Sequence, residues 1–451
     1  MTTTNPKPPY LEALKLAWPA SIAAAVTPLL GAIDVWALAQ SDHPLEIAAV
    51  SLGAIIFSMV YWTFGFIRMS VAGLTAQAIG ADDETEARAA LIRGGTIGLT
   101  IGTLLVAFMI PIGNLAMHLL AIDSDASGNT LTTARQYFDI RILGAPFALA
   151  TYAGLGWLTA RGRTDFLMIV SVGMTLLNIA LDYWFVVELE RGASGVAFGT
   201  LIAEIAGFLG CAGFVLFILA RHGGVKNAWD YQRFFDPKKL GKTISVNRDI
   251  FIRTALLAFS FAWFTQRSGA FGDITLAANQ VLMQMFLFTG LALDGTAIAA
   301  ETLVGRAIGS KDSRLGYRKF RAAIIATSIP AFIAALAFMV AYLLFGEAII
   351  SLLTPEGLLR ETAIKYLPWI IISPMMVLVA FQLDGIFIGA TKSKEMRDGM
   401  IMSTVVFILA SLWLAPRYDN HGLWLAFTFY FILRGVTLIY PARRWKSWFE
   451  I

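Results

Sequence analysis

The sequence predicts an all-α polytopic membrane protein: twelve transmembrane helices in two pseudo-symmetric six-helix bundles around a central cavity. Three observations predict it. Of 451 residues, 57% are hydrophobic and only 15% charged, where a soluble chain of this size carries about 25% charged residues. Mean hydropathy is +0.68. Apolar stretches of roughly 20 residues or more, enough to cross a bilayer, recur twelve times, and one long polar segment divides them six and six.

The first six lie near 12–40, 48–79, 89–121, 131–160, 165–188 and 194–221; the others lie near 248–270, 276–309, 317–350, 358–390, 396–416 and 421–442. Internal Gly and Pro in several of them predict tilted, bent helices. Between the sets runs HGGVKNAWDYQRFFDPKKLGKTISVN (222–247), so residues 1–221 and 248–451 read as two lobes joined by a cytoplasmic linker.

Lys and Arg gather in every second connection: Arg88 and Arg93, Arg161 and Arg163, the Lys226 to Lys242 cluster, Lys311 to Arg321, and Lys392 to Arg397. Arg443, Arg444 and Lys446 follow the last span, whereas QSDHPLEI after the first has no basic residue. The positive-inside rule therefore places both termini and the linker in the cytoplasm. The polar opening MTTTNPKPPY lacks the pattern of a cleavable signal, so the first span is expected to stay. A pI near 9.1 follows from these basic loops and calls for no nucleic-acid partner.

Six helices return the chain to its starting side, so a duplicated half would have parallel topology. LTAQAIGADD (74–83) lies over LVGRAIGSKD (303–312) at a shift of 229, and the same shift lays Ala48-Ala49 on Ala277-Ala278. Pro146 falls on Pro374 at a shift of 228, and TARGRTDF lies over IGATKSKE. Parallel repeats of this kind imply two bundles about an axis along the membrane normal.

Acidic residues inside the spans are the candidates for function, because a carboxylate in hydrocarbon is costly. In LLNIALDYWFVV (176–187), Asn178 and Asp182 share a helical face. Asp34 and Asp182 each lie about six residues inside the outer ends of spans 1 and 5, and Thr200 about six after the start of span 6; all three sit roughly 9 Å deep. Two carboxylates close together cannot both stay ionised, so the layer is able to hold a proton. Its oxygens also suit a hard cation such as Na⁺. Glu204, one turn from Thr200 on the same face, either joins a proton relay or pairs with a polar neighbour.

No nucleotide-binding loop of the G-x-x-x-x-G-K type occurs. Cys211 is the single cysteine, and His43, His118, His222 and His421 are scattered at helix ends. Neither an enzyme nor a metal or organic cofactor is expected.

The chain resembles the multidrug and toxic compound extrusion (MATE) family. WPASIAAAVTPLLGAIDVWALA in span 1 and LNIALDYWFV in span 5 carry the likeness, and LDGTAIAAETLVGRAIGSKD and QLDGIFIGATKSKEMRDGM resemble its DinF-like branch. The resemblance covers nearly the whole chain. It implies alternating-access export of amphipathic, often cationic compounds in exchange for a cation, in a bacterial inner membrane, by a chain expected to be a monomer. Asp34, Asn178, Asp182 and Thr200 match the family's polar cluster, Tyr137 a tyrosine beside it, and Pro19 the proline at which the first helix bends. Without the resemblance, Thr200 could bond its own helix backbone, Tyr137 could be an interfacial anchor, and Pro19 could be a tolerated membrane proline.

Three further acids, Asp294, Glu301 and Asp384, belong by depth to the cytoplasmic half of the second lobe. Either they attract cationic substrate or they hold a gate shut against Arg306 or Lys392. Arg68, inside span 2, either opposes one of them or snorkels. Met283, Met285 and Phe286 are candidates for lining the cavity. The function expected is secondary efflux antiport driven by H⁺, with Na⁺ as the alternative. A lipid-linked glycan flippase is the competing reading; it would line the cavity with several Arg or Lys to meet pyrophosphate, whereas the identified interior groups are mostly acidic.

Overall fold

The computed structural model describes residues 6–26, 33–34, 37–38, 44–123, 128–222 and 230–449, and every regular element among them is helical. The described part of the first span is the helix Tyr10–Val26, which continues through Pro19; residues 27–32, 35–36 and 39–43, which complete the span and include His43, lie outside the described residues. Among the described residues, nine helices are long and apolar enough to cross a membrane. The last of them, Ser393–Ala442, holds two of the predicted spans, because its backbone leaves helical geometry at Tyr418 and Asp419. The helix Pro237–Gly269 carries the seventh span.

That helix starts earlier than the linker predicted over 222–247 allows. Asp236 caps it, accepting from the Lys238 and Lys239 amides at 2.9 and 3.2 Å, and Pro237 at the first helical position has no N–H to leave unsatisfied. These bonds hold the exposed Asp236 carboxyl below the usual carboxylate range. Before it, the short helix Tyr231–Phe234 is capped in the same way by Asp230. Polar composition marked a loop here because lysines face outward on the first turns of a long amphipathic helix.

The described chain forms two compact units. One, the amino-terminal unit, comprises Ile22–Thr75 and Glu84–Thr243; the other, the carboxyl-terminal unit, comprises Ile244–Ile451 together with Met1–Ser21 and Ala76–Asp83. The core of the carboxyl-terminal unit is aromatic: Phe264, Phe286, Phe407, Trp424, Phe427, Tyr430 and Phe431 are buried together, with Phe264 and Phe427 centroids 4.8 Å apart. The amino-terminal unit packs Phe57, Tyr137, Phe138, Ile142, Val186 and Val196 into one cluster.

The two halves repeat the same turns 229 residues apart. Gly162 and Thr391 both have positive φ, 75° and 53°. At the first, the Gly162 and Arg163 amides return to the Thr159 and Leu158 carbonyls; at the second, Thr391 and Lys392 return to Ile388 and Phe387. Glu190 and Asp419 form a second such pair, at φ 50° and 49°. Asp419, at ψ −140°, occupies a conformation that only glycine adopts without strain. Asp419→Gly is therefore expected to stabilise the protein by about 1 kcal/mol, read as a higher unfolding temperature in detergent; an unchanged or lower temperature would show the strain to be absent.

Candidate functional site

Three helices of the amino-terminal unit, together with Asp34 of the first span, bring a polar cluster together. Asp182 is the last residue of the helix Thr164–Asp182, where the chain passes into a π-helical turn over Tyr183–Glu188; such turns concentrate at functional positions. Asn178 lies one turn earlier. The helix Gly192–Arg221 starts where the Glu46 carboxylate accepts from the Ala193 amide at 2.6 Å, a favourable charge at a helix N-terminus, and presents Thr200 and Glu204. Gly128–Arg141 carries Tyr137 and Arg141 and ends in the 3₁₀ turn Ile142–Gly144 before Pro146.

Asp34, Asn178, Asp182 and Tyr137 are wholly buried, and Thr200, Glu204 and Arg141 nearly so. The Tyr137 hydroxyl donates to Asp34 Oδ2 at 3.3 Å and accepts from an Arg141 N–H. That Arg141 nitrogen lies 4.0 Å from the same Asp34 oxygen, and its guanidinium stands 4.7 Å from the Phe57 ring, a favourable cation–π placement. The Asp34 carboxyl also interacts with Asp182 and Asn178. Asn178 donates to Thr200 Oγ1 at 3.2 Å, while Thr200 donates to the Val196 carbonyl at 3.1 Å. The Thr200 hydroxyl thus has a lone pair for the amide and a proton for its own helix backbone.

Among the described residues, four oxygens of this cluster have no hydrogen-bond partner: Asp34 Oδ1, Asn178 Oδ1, and both carboxylate oxygens of Asp182. Unanswered acceptors at such burial are costly. Together they offer the chemistry of a proton shared between carboxylates, or of a small hard cation held by oxygen. Glu204 accepts from the Tyr61 hydroxyl at 3.4 Å and lies within electrostatic reach of Arg141 and Asp34.

Of the residues expected from sequence, Asp34, Asn178, Asp182, Thr200 and Tyr137 converge, with Glu204 beside them. Tyr137, buried and doubly bonded, is no interfacial anchor. Pro19, Asp294, Glu301 and Asp384 lie in the carboxyl-terminal unit. There the expected partners of Asp384 are corrected. It is bonded by Arg253 and by Arg434, the latter at 2.8 Å, because both arginines project from neighbouring helices at its level. Arg306 instead reaches Glu12 at 3.2 Å, and Lys392 stands over the Trp448 ring. Met283, Met285 and Phe286 are packed into the aromatic core rather than left on an open wall, as their fully apolar, helix-spaced pattern favours.

Arg141 is the member of the site absent from the sequence expectations. Its signal was an arginine well inside a predicted span, four residues after Tyr137 and so on the same face. Two glycines matter as well. A Cβ on Gly53 would enter the Tyr137 ring, and one on Gly199 would collide with Asp182 Oδ1. These glycines leave room for the site's side chains to approach the neighbouring backbone.

A family model described as MatE matches residues 19–184 and 250–416. The chain is 36% identical over 441 residues to DNA damage-inducible protein F of Escherichia coli (strain K12), covering 96% of this chain and 93% of that protein. It is 26% identical over 355 residues to Protein DETOXIFICATION 42 of Arabidopsis thaliana, covering 77% and 64%. Among solved structures, MATE in the bent conformation has a TM-score of 0.86 at 20% identity, covering 98% of this chain and 96% of that one. An outward-facing multidrug resistance MATE family transporter of the MOP superfamily has a TM-score of 0.83 at 19% identity, covering 100% of each chain. These structural likenesses concern the fold.

The crowding at Gly199 gives a direct test. Gly199→Ala is expected to leave the unfolding temperature nearly unchanged, since only a carboxylate tip must move, while lowering transport by displacing Asp182. Full transport by this variant would show that the position of Asp182 does not matter.

Proposed function

This chain belongs to the MatE family of multidrug efflux transporters, and on that premise we propose that it is a secondary antiporter that exports amphipathic organic compounds, cationic ones among them, in exchange for H⁺. It works by alternating access as a monomer in a bacterial inner membrane, with both termini in the cytoplasm. The observation that carries this reading is the buried cluster of Asp34, Asn178, Asp182 and Thr200, in which four oxygens lack a donor among the described residues. A site that alternately takes up and releases a cation needs acceptors that its own fold leaves unanswered.

Arg141 favours a proton over Na⁺ as the coupling ion. Its guanidinium keeps its charge and, with the Tyr137 hydroxyl, stands against one Asp34 oxygen, which leaves fewer oxygens for a metal cation that needs several, whereas a proton needs one. Tyr137 fixes Asp34 and Arg141 together through one hydroxyl. Glu204, bonded to Tyr61, supplies a further proton acceptor within reach of the same arginine. Pro19 leaves the first helix one backbone bond short, which allows it to change its bend between states.

In liposomes holding the purified protein, an imposed pH gradient alone should drive export of a cationic dye, and a Na⁺ gradient alone should not. Asp34→Asn and Asp182→Asn should each reduce export to background while inserting normally into the membrane. Wild-type export by both variants would sink the assignment of the ion site, and export needing Na⁺ but no pH gradient would sink the assignment of the ion. Arg141→Gln, which removes the fixed charge, is expected to let a Na⁺ gradient support export; continued indifference to Na⁺ would show that Arg141 is not the discriminating group.

A further inference from the structure

The carboxyl-terminal unit holds a buried cluster of two arginines and one aspartate that the ion chemistry leaves unused. Arg253 and Arg434 both donate to the same oxygen of Asp384, Oδ2. The three side chains come from the helices Pro237–Gly269, Leu358–Gly389 and Ser393–Ala442, and are 6% (Arg253), 7% (Asp384) and 3% (Arg434) exposed. Guanidinium groups do not deprotonate in proteins, so two of them against one carboxylate leave one net positive charge. An unanswered buried charge is costly.

The acid one turn away is already engaged. Asp249, one turn before Arg253 on the same helix, is taken by Arg397 at 2.8 Å, Arg248 at 3.1 Å and Ser393 at 3.2 Å. Arg253 Nε and one terminal nitrogen of Arg434 are buried and meet no acceptor. The triad is also foreign to the duplicated scaffold. At 229 residues earlier stand Ala24, Leu155 and Ile205, so the other half fills the corresponding helical positions with apolar side chains. Packing alone does not require these charges.

We propose that Arg253 and Arg434 form a binding position for the carboxylate of an amphipathic organic anion, with Asp384 as the resident counter-ion that holds both guanidiniums in place. A guanidinium fork matches a carboxylate in shape and charge, and the unpartnered N–H groups of the two arginines supply the donors. One added carboxylate makes the cluster neutral. The Arg434 guanidinium stands 4.9 Å from the Phe431 ring, and Phe431 continues to the half-buried ring of Phe261, 6.5 Å away. The half-buried Phe261 ring suits the apolar body of such a ligand. The cargo of this protein thereby extends to carboxylates and zwitterions, which the acidic cluster of the other unit does not predict.

The test is equilibrium binding to the full-length protein in detergent, followed by the fluorescence of dansylglycine and of its uncharged amide. The wild type should prefer dansylglycine by about tenfold or more, the scale of a charge-assisted hydrogen bond over a neutral one. In R253Q/D384N/R434Q, which removes both signs of charge together, that preference should fall to one; R253K/R434K, which keeps the charge and loses the forks, should fall between. Because the readout is a ratio within one protein, partial loss of folded material does not alter it. Equal wild-type affinities for the two probes, or a preference retained by the triple variant, would falsify the proposal. Binding is read without any gradient, so failure here is separate from failure of H⁺ coupling.

Discussion

Asp34 has a guanidinium 4.0 Å from one carboxylate oxygen and no donor on the other, in a position from which water is excluded by complete burial. A carboxylate so placed must be answered by a charge, a proton or an ion. Much of the surrounding structure follows from how that demand is only half met. Arg141 supplies a charge at a distance, Tyr137 ties the two together, and Asp182 adds a second carboxylate whose oxygens receive nothing. A fully bonded cluster would be inert glue between helices. This one leaves carboxylate oxygens without a partner among the described residues, and the backbone holds the cluster close: a π-helical turn follows Asp182, and glycines at 53 and 199 let the ring and carboxylate close up.

Duplication explains the scaffold but not the chemistry on it. Turns 229 residues apart share their left-handed residues and their hydrogen bonds. Yet the positions answering to Asp34 and Asp182 are Trp263 and Ser411, and these two also meet, the indole donating to the hydroxyl at 2.9 Å. Asn178 and Thr200 correspond to Phe407 and Phe429. Where one unit encloses the polar cluster, the other encloses a neutral hydrogen bond and the buried Phe407 ring, with Phe429 exposed. In return, the carboxyl-terminal unit holds Arg253, Asp384 and Arg434 where the first half has apolar residues.

The helices were legible because hydropathy reports side-chain transfer into lipid residue by residue, and a segment that crosses must satisfy its own backbone as a helix. Asn178 and Asp182 were legible for a similar reason: a one-turn spacing is a local property. Depth then associated them with Asp34 and Thr200. Arg141 escaped because depth and face on one helix say nothing about which residue of another helix stands opposite. The partners of Asp384 escaped in the same way. Arg306 and Lys392 looked suitable at the level of cytoplasmic ends, whereas the arginines that bond it come from positions 131 and 50 residues away in sequence. At the linker, the capping pattern of Asp236 and Pro237 was present, but composition outweighed it.

By itself the sequence determined the class of protein, its spans, its duplication and the presence of buried acids, since each depends on composition or on spacing within a helix or between repeats. Only tertiary structure decided which charges meet: Arg141 with Asp34 across two helices, two arginines on Asp384 across three, and unanswered oxygens at Asp182. Pairing of that kind depends on helix rotation and separation, set by the packing of many apolar side chains at once and written in no single stretch of the chain.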